Sequence, residues 1–96
     1  NVPNVFSLEQ NYPNPFNPVT TIRFTIPESR FTTLKLYDIL GREVATLLNN
    51  EQLEEGEHEV QFDANGLTSG VYFYRIQISE EGKQTFTETK KLLLVK

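Results

Sequence analysis

The sequence predicts an all-β chain, an antiparallel β-sandwich of about seven strands. Two observations carry that expectation. Apolar and polar residues alternate with period 2 along most of the chain, and no segment sustains the 3.6-residue repeat of an amphipathic helix. Turn-forming residues recur about every 8–12 positions, the spacing of a sandwich. A length of 96 residues fits one domain spanning residues 1–96, with 1–19 as an N-terminal strand and loop and 20–96 as the sandwich.

The elements follow in order. Thr21-Ile22-Arg23-Phe24-Thr25-Ile26 alternates, placing Ile22, Phe24 and Ile26 inward. Pro27-Glu28-Ser29-Arg30 is a turn, because Pro fixes φ and removes a donor. Thr32 to Tyr37 is a strand with Leu34 and Leu36 inward and Thr33, Lys35 and Tyr37 outward. Asp38 to Arg42 turns, with Gly41 expected at positive φ. Glu43 to Leu48 reads as a short strand on its β-branched content, and one helical turn is the alternative. Asn49 to Gly56 is polar and reads as a connection.

His58 to Phe62 alternates again, and Asp63-Ala64-Asn65-Gly66 is a loop in which Asn-Gly tolerates the left-handed region. Val71 to Ile78 is the strongest strand, with Tyr72, Tyr74, Ile76 and Ile78 on one face. Glu80-Glu81-Gly82-Lys83 makes a hairpin into a last strand over residues 84–95. Leu92, Leu93 and Leu94 cannot all face one side, so a bulge or burial on both faces is expected there. Leu67-Thr68-Ser69-Gly70-Val71-Tyr72 matches a tyrosine corner, a structural device of immunoglobulin-like domains built here on Leu67, Gly70 and Tyr72. Its phenol would bond to backbone a few residues upstream.

Charge and composition narrow the function. A net charge of −4 opposes a nucleic-acid footprint, which needs a basic face. With no Cys, disulfides and thiolate metal sites are excluded. Leu92 to Val95 is the longest apolar run, far short of the roughly 20 residues of a membrane-spanning helix. The opening Asn1-Val2-Pro3 has neither an initiator Met nor a signal-peptide pattern, so the chain is read as a piece of a longer protein.

His58 is the only histidine. Glu57 and Glu59 alternate to the opposite face from it, so no base-and-orienter pair forms. His58 is read as a partly buried strand residue, and zinc would need more His or Cys ligands. Asp63-x-Asn65-Gly66 lacks the length of a calcium loop, and no Gly-rich phosphate loop precedes a helix. No catalytic residue, metal or cofactor is expected.

Asn11-Tyr12-Pro13-Asn14-Pro15-Phe16-Asn17-Pro18, followed by Thr20 to Phe24, resembles the opening of the type A C-terminal sorting domain of type IX secretion. The likeness continues in Leu36 to Val44, Gly56 to Ala64, Leu67 to Arg75 and Lys90 to Lys96. The resemblance implies an immunoglobulin-like sandwich, related to a domain of flagellar hook-capping proteins, at the end of an exported cargo protein. It implies partners in the outer-membrane secretion machinery and a surface transpeptidase, an N-terminal cargo in the same chain, and a secreted or surface location in a Gram-negative bacterium.

Three surfaces are candidate docking sites. Residues Tyr12, Pro13, Asn14, Pro15, Phe16, Asn17 and Pro18 form a stiff loop, because Pro and the residues before it have few conformations. It reads as a recognition loop, as a rigid crossover tucking Tyr12 and Phe16 over the end of the sandwich, or as both; the tucked arrangement is preferred for the two rings. Lys90, Lys91 and Lys96 give the last strand a basic end, which the resemblance makes part of the signal and which also guards an edge. Tyr37 and Phe73, flanked by Lys35 and Arg75, are expected to pair on the surface as a cross-strand contact or a docking patch. The acidic run Glu51, Glu54, Glu55, Glu57 and Glu59 reads as a solvated face. Besides sorting, the readings are an interdomain brace in a secreted enzyme and carbohydrate binding, which requires an exposed aromatic platform and is weakened by the absence of Trp.

Overall fold

Seven strands in two antiparallel sheets make up the computed structural model, which describes residues 5–16, 18–81 and 83–95. They are β1 (Ser7–Leu8), β2 (Val19–Ile26), β3 (Arg30–Tyr37), β4 (Glu43–Leu53), β5 (Gly56–Asp63), β6 (Gly70–Glu80) and β7 (Lys83–Leu94). One sheet has the order β1-β2-β5 and the other β4-β3-β6-β7. Expectations on Asn1 to Pro3, Asn17, Gly82 and Lys96 lie outside the described residues.

The alternation read from the sequence is the packing that results. Ile22, Phe24 and Ile26 from β2 meet Leu34 and Leu36 from β3 and Tyr72, Tyr74, Ile76 and Ile78 from β6 in one core. Each fully buried Ile, Leu or Phe contributes roughly 1.5–3 kcal/mol relative to exposure, so the inward rows hold the two layers together. Gly41 takes φ 84°, which a side chain rarely adopts, and closes the β3–β4 turn with its N–H donating to Asp38 O at 3.0 Å.

Three local expectations are corrected. The polar stretch after Leu48 is not a connection: β4 runs on to Leu53, with Glu51, Gln52 and Leu53 paired to Thr32, Phe31 and Arg30. Pairing with the full length of β3 overrides the weak strand propensity of these residues. Asn50 absorbs a register shift at φ 51° while its N–H donates to Thr33 Oγ1. Along Leu92-Leu93-Leu94 there is neither a bulge nor burial on both faces. The ladder to Tyr72, Val71 and Gly70 is regular there, and Leu93 turns outward between buried Leu92 and Leu94. The irregularity of β7 lies at its other end, where Thr85 donates its hydroxyl to Ile78 O. Finally, the Ala64–Leu67 turn forms without positive φ at Asn65 or Gly66. Asp63 Oδ1 accepts from Asn65 N–H instead, a local bond that shapes the turn.

The two ends of the sandwich differ in what they gather. Phe6, just ahead of β1, stacks on Phe86 toward the hairpin end of β6 and β7, with ring centres 5.1 Å apart. At that end Arg30 pairs with both Glu28 and Glu80. The proline segment, the β3–β4 turn and the β5–β6 loop gather at the opposite end, with the end of β7.

Candidate functional site

The proline segment is built onto both sheets. After β1 the chain follows the β2 edge: Glu9 N–H donates to Arg23 O at 2.9 Å, and Tyr12 and Thr21 exchange backbone bonds of 3.0 and 2.9 Å. The Tyr12–Pro13 and Asn14–Pro15 peptides are cis. Over this stretch the chain crosses to the other sheet. There Phe16 N–H donates to Leu93 O, and Val95 N–H donates to Phe16 O, both at 3.0 Å, in a parallel bridge centred on Leu94. Asn14 Oδ1 accepts from Leu93 N–H at 2.9 Å. Pro18 O then accepts from Ala64 N–H at 2.9 Å. The bonds to Leu93 and Val95 cover outward-facing backbone groups at the end of β7, a strand whose edge would otherwise be open to pairing.

A buried polar cluster fixes the crossing. Asn11 and Thr20 are 2% and 1% exposed. The Asn11 amide donates to Thr20 Oγ1 at 3.0 Å and to Pro13 O at 3.2 Å, and the Thr20 hydroxyl also reaches Pro13 O at 2.9 Å. Tyr74 Oη accepts from Asn11 N–H at 2.9 Å and donates to Glu9 O at 2.7 Å. Gln10 Nε2 bridges Asn11 Oδ1 and Lys91 O, each at 2.7 Å, linking the cluster to β7. Burial pushes the Tyr74 phenol up to about 12, although the Asn11 N–H bond works against that rise. A satisfied cluster of this kind rigidifies its surroundings, because breaking any one bond strands a buried partner.

The two rings of the segment part company. Phe16 is buried at 2% exposure and tilts against Phe62 at 6.3 Å. Tyr12 is 81% exposed, so the expectation that both rings tuck over the sandwich holds for Phe16 alone. The reason is register. Tyr12 pairs with Thr21, and Thr21 lies between inward Thr20 and inward Ile22. Residues directly opposite each other share a face, so Tyr12 projects from the outer surface of the β1-β2-β5 sheet. Pro13, Asn14 and Pro15 are exposed as well, with Pro18 partly covered.

At the end of β7, Lys91 is exposed and Lys90 points toward the core side, pairing with Glu88 at 3.3 Å. An inward-leaning charge on an edge strand discourages edge-to-edge aggregation. The structure therefore ties the proline segment to the end of β7 through Gln10, Asn14 and Phe16, with Tyr12 and Lys91 exposed on the outer faces of different sheets.

Tyr37 and Phe73 are direct cross-strand neighbours, but the expected pairing of their rings is replaced. Among the described residues the ring pairs lie elsewhere, and Tyr37 instead carries the Arg75 guanidinium 4.8 Å from its centre. Lys35 turns to Glu43 at 3.1 Å, and the Thr46 hydroxyl and then Lys35 hold that carboxyl below its usual range.

Tyr72 Oη donates to Thr68 O at 2.7 Å at the start of β6, with Leu67 packed on the core and Gly70 at φ 154°. That is the corner geometry of an immunoglobulin-like sheet. Next to it, Ile39 and Leu40 are 69% and 73% exposed and rim a groove of about 520 Å³ with Leu67 and Tyr72. Asp38 ties this turn: the Arg42 amide first, then the Arg42 guanidinium and the Leu40 amide, hold its carboxyl below the usual range.

His58 lies inward against Phe24, with ring centres 5.4 Å apart and Nε2 2.7 Å from Glu54 O. Among the described residues no three His, Cys, Asp or Glu side chains gather to hold a metal ion, and no helix is long and apolar enough to cross a membrane. Sequence reasoning missed Gln10, Asn11, Thr20 and Tyr74 as the anchor of the proline segment. A signal existed: Thr20 and Tyr74 occupy inward positions of their strands, and polar groups placed there require partners.

Comparison with known proteins agrees with this geometry. The fold is similar to a segment of dimeric latent PorU from Porphyromonas gingivalis, with a TM-score of 0.78 and 24% identity over 97% of this chain. The chain spans 9% of that protein. It is also similar to CopC from Methylosinus trichosporium OB3b, with a TM-score of 0.59 and 14% identity, covering 94% of this chain and 93% of that one. No curated protein matches the sequence. Residues 10–94, from the Gln10 anchor through the last residue of β7, match the secretion system C-terminal sorting domain, and the chain belongs to that family.

Proposed function

We propose that this domain is a non-catalytic sorting and surface-retention signal that carries an exported protein through type IX secretion. It acts by recognition, and its contact residues are the exposed Tyr12-Pro13-Asn14-Pro15 stretch together with Lys91 and the adjoining end of β7, Lys90 being turned to the core side and paired with Glu88. Asn17 and Lys96 belong to the same two segments. The secretion machinery of the outer membrane and a surface transpeptidase are its partners, and the cargo precedes it in the chain.

One observation carries the reading. The two segments read as signals, some 75 residues apart in sequence, are hydrogen-bonded to each other through Asn14, Phe16, Leu93 and Val95. A surface already ordered before binding loses little entropy on docking.

Fusion of residues 1–96 behind a periplasmic reporter, in a host with type IX secretion, tests the proposal. The reporter is expected outside the cell; a reporter that stays in the periplasm contradicts it. A second reading, an interdomain brace, is favoured by exposed Ile39 and Leu40 beside their groove. For a brace, replacing both by Ser loosens the domain from its parent in limited proteolysis while export is unchanged.

A further inference from the structure

Tyr12 stands beside a groove that the sorting surface does not explain. The groove has a volume of about 280 Å³ and is lined by Glu9, Gln10, Tyr12, Thr21, Arg23 and Glu59. It lies on the outer face of the β1-β2-β5 sheet, where β1 stops short and the chain from Glu9 to Tyr12 runs along β2. We propose that this groove binds a neutral pyranose unit of a glycan, with Tyr12 as the stacking platform.

The ring has the properties of a platform. It is 81% exposed, yet its backbone N–H and C=O both bond to Thr21, and the preceding residue, Asn11, is buried and hydrogen-bonded through its side chain and its N–H. An exposed aromatic on a fixed backbone offers contact area at little entropic cost. The face of a Tyr ring carries negative potential, which suits the weakly positive C–H face of a sugar ring.

The floor supplies the polar partners. Arg23 donates through both Nε and Nη2 to Glu59 Oε2, which leaves Glu59 Oε1 as an acceptor and Arg23 Nη1, on the far edge of the guanidinium, as a donor: an unlike pair in the lining. Glu59 and its hydrogen bond hold the guanidinium firmly charged. A hydroxyl both donates and accepts, so two neighbouring sugar hydroxyls match such a pair. The Thr21 hydroxyl and Gln10 Oε1 complete the lining, since Gln10 Nε2 is already engaged by Asn11 and Lys91. Arg23 and Glu59 neutralise each other while Glu9 adds a negative charge, which selects against uronic or sulfated sugars. The volume is just below the roughly 300–1,000 Å³ of drug-sized pockets, so it takes one or two sugar rings.

Titration of the ¹⁵N-labelled 96-residue chain with maltohexaose, cellohexaose, mannohexaose and chitohexaose tests this. At least one should bind with a Kd of roughly millimolar and shift amides at Glu9 to Tyr12, Thr21 to Arg23 and Glu59. Tyr12→Ala should weaken binding at least tenfold, and Tyr12→Phe should keep it within about threefold, because stacking needs the ring and not the hydroxyl. An oligogalacturonate should bind more weakly than the best neutral sugar. No shift with any of the four, shifts confined to another surface, undiminished binding by Tyr12→Ala, or preference for the oligogalacturonate would each overturn the proposal. The readout is independent of export, so failure here leaves the sorting assignment to its own test.

Discussion

The two ends of the sandwich handle buried polar groups in opposite ways. Under the proline segment, Asn11, Thr20 and Tyr74 are buried and bonded to one another and to backbone. Toward the other end, Thr32 Oγ1 and Arg30 Nε are buried with no protein hydrogen-bond partner. An unsatisfied buried group costs stability, whereas a satisfied cluster ties its members to a single arrangement. Polar burial is thus organised where the chain crosses between sheets and holds a surface outward. At the hairpin end, strand pairing and Phe6–Phe86 stacking suffice.

That contrast can be broken in steps. The largest effect is expected from Phe16→Ala, which removes the apolar anchor of the crossing; urea unfolding should show a loss of about 3–5 kcal/mol. Next, Tyr74→Phe deletes the hydroxyl that joins Glu9 O to Asn11 N–H and should cost about 1–3 kcal/mol by the same measurement. This second variant also has a pH signature. The Tyr74 pKa is raised to about 12 in the folded chain, against about 10 unfolded. The neutral phenol's contribution is therefore complete below pH ~10 and is lost as pH rises toward the folded value. The stability gap between wild type and Tyr74→Phe should narrow over that alkaline range.

Thr32→Val sharpens the comparison from the other end. It removes an unpartnered hydroxyl, and the unfolding midpoint should rise, by about 1 kcal/mol in free energy. Destabilisation would mean that the Thr32 hydroxyl is satisfied. Tyr12→Ala should be the smallest, within about 0.5 kcal/mol, since its ring is exposed.

Much of the fold was legible because a period-2 row fixes which face is buried. Ile22, Phe24, Leu34, Leu36, Tyr72, Tyr74, Ile76 and Ile78 follow from alternation alone, and the Tyr72 corner follows from its place at the start of a strand. Asn49 to Leu53 was illegible because its strand state comes from the partner β3, not from its own residues. The outward turn of Tyr12 was illegible for a related reason, whereas Phe16 is buried as expected. Each ring's direction is set by pairing, Tyr12 with Thr21 and Phe16 with Leu94, and no local pattern encodes a register between distant segments. The residues of the loop could be named from the sequence, whereas its attachment to β7 through Asn14 could not.

That attachment is the centre of the account, and Asn14→Ala tests it most directly. Asn14 is exposed, and among the described residues its side chain makes one hydrogen bond, accepting from Leu93 N–H. The variant should therefore keep its circular dichroism spectrum and an unfolding midpoint near that of wild type. The measurement is the fraction of a fused reporter found outside the cell, for Asn14→Ala against the unaltered domain. A marked fall in export with the fold intact is the predicted result; export at the wild-type level would contradict the claim that loop and last strand act as one attached unit.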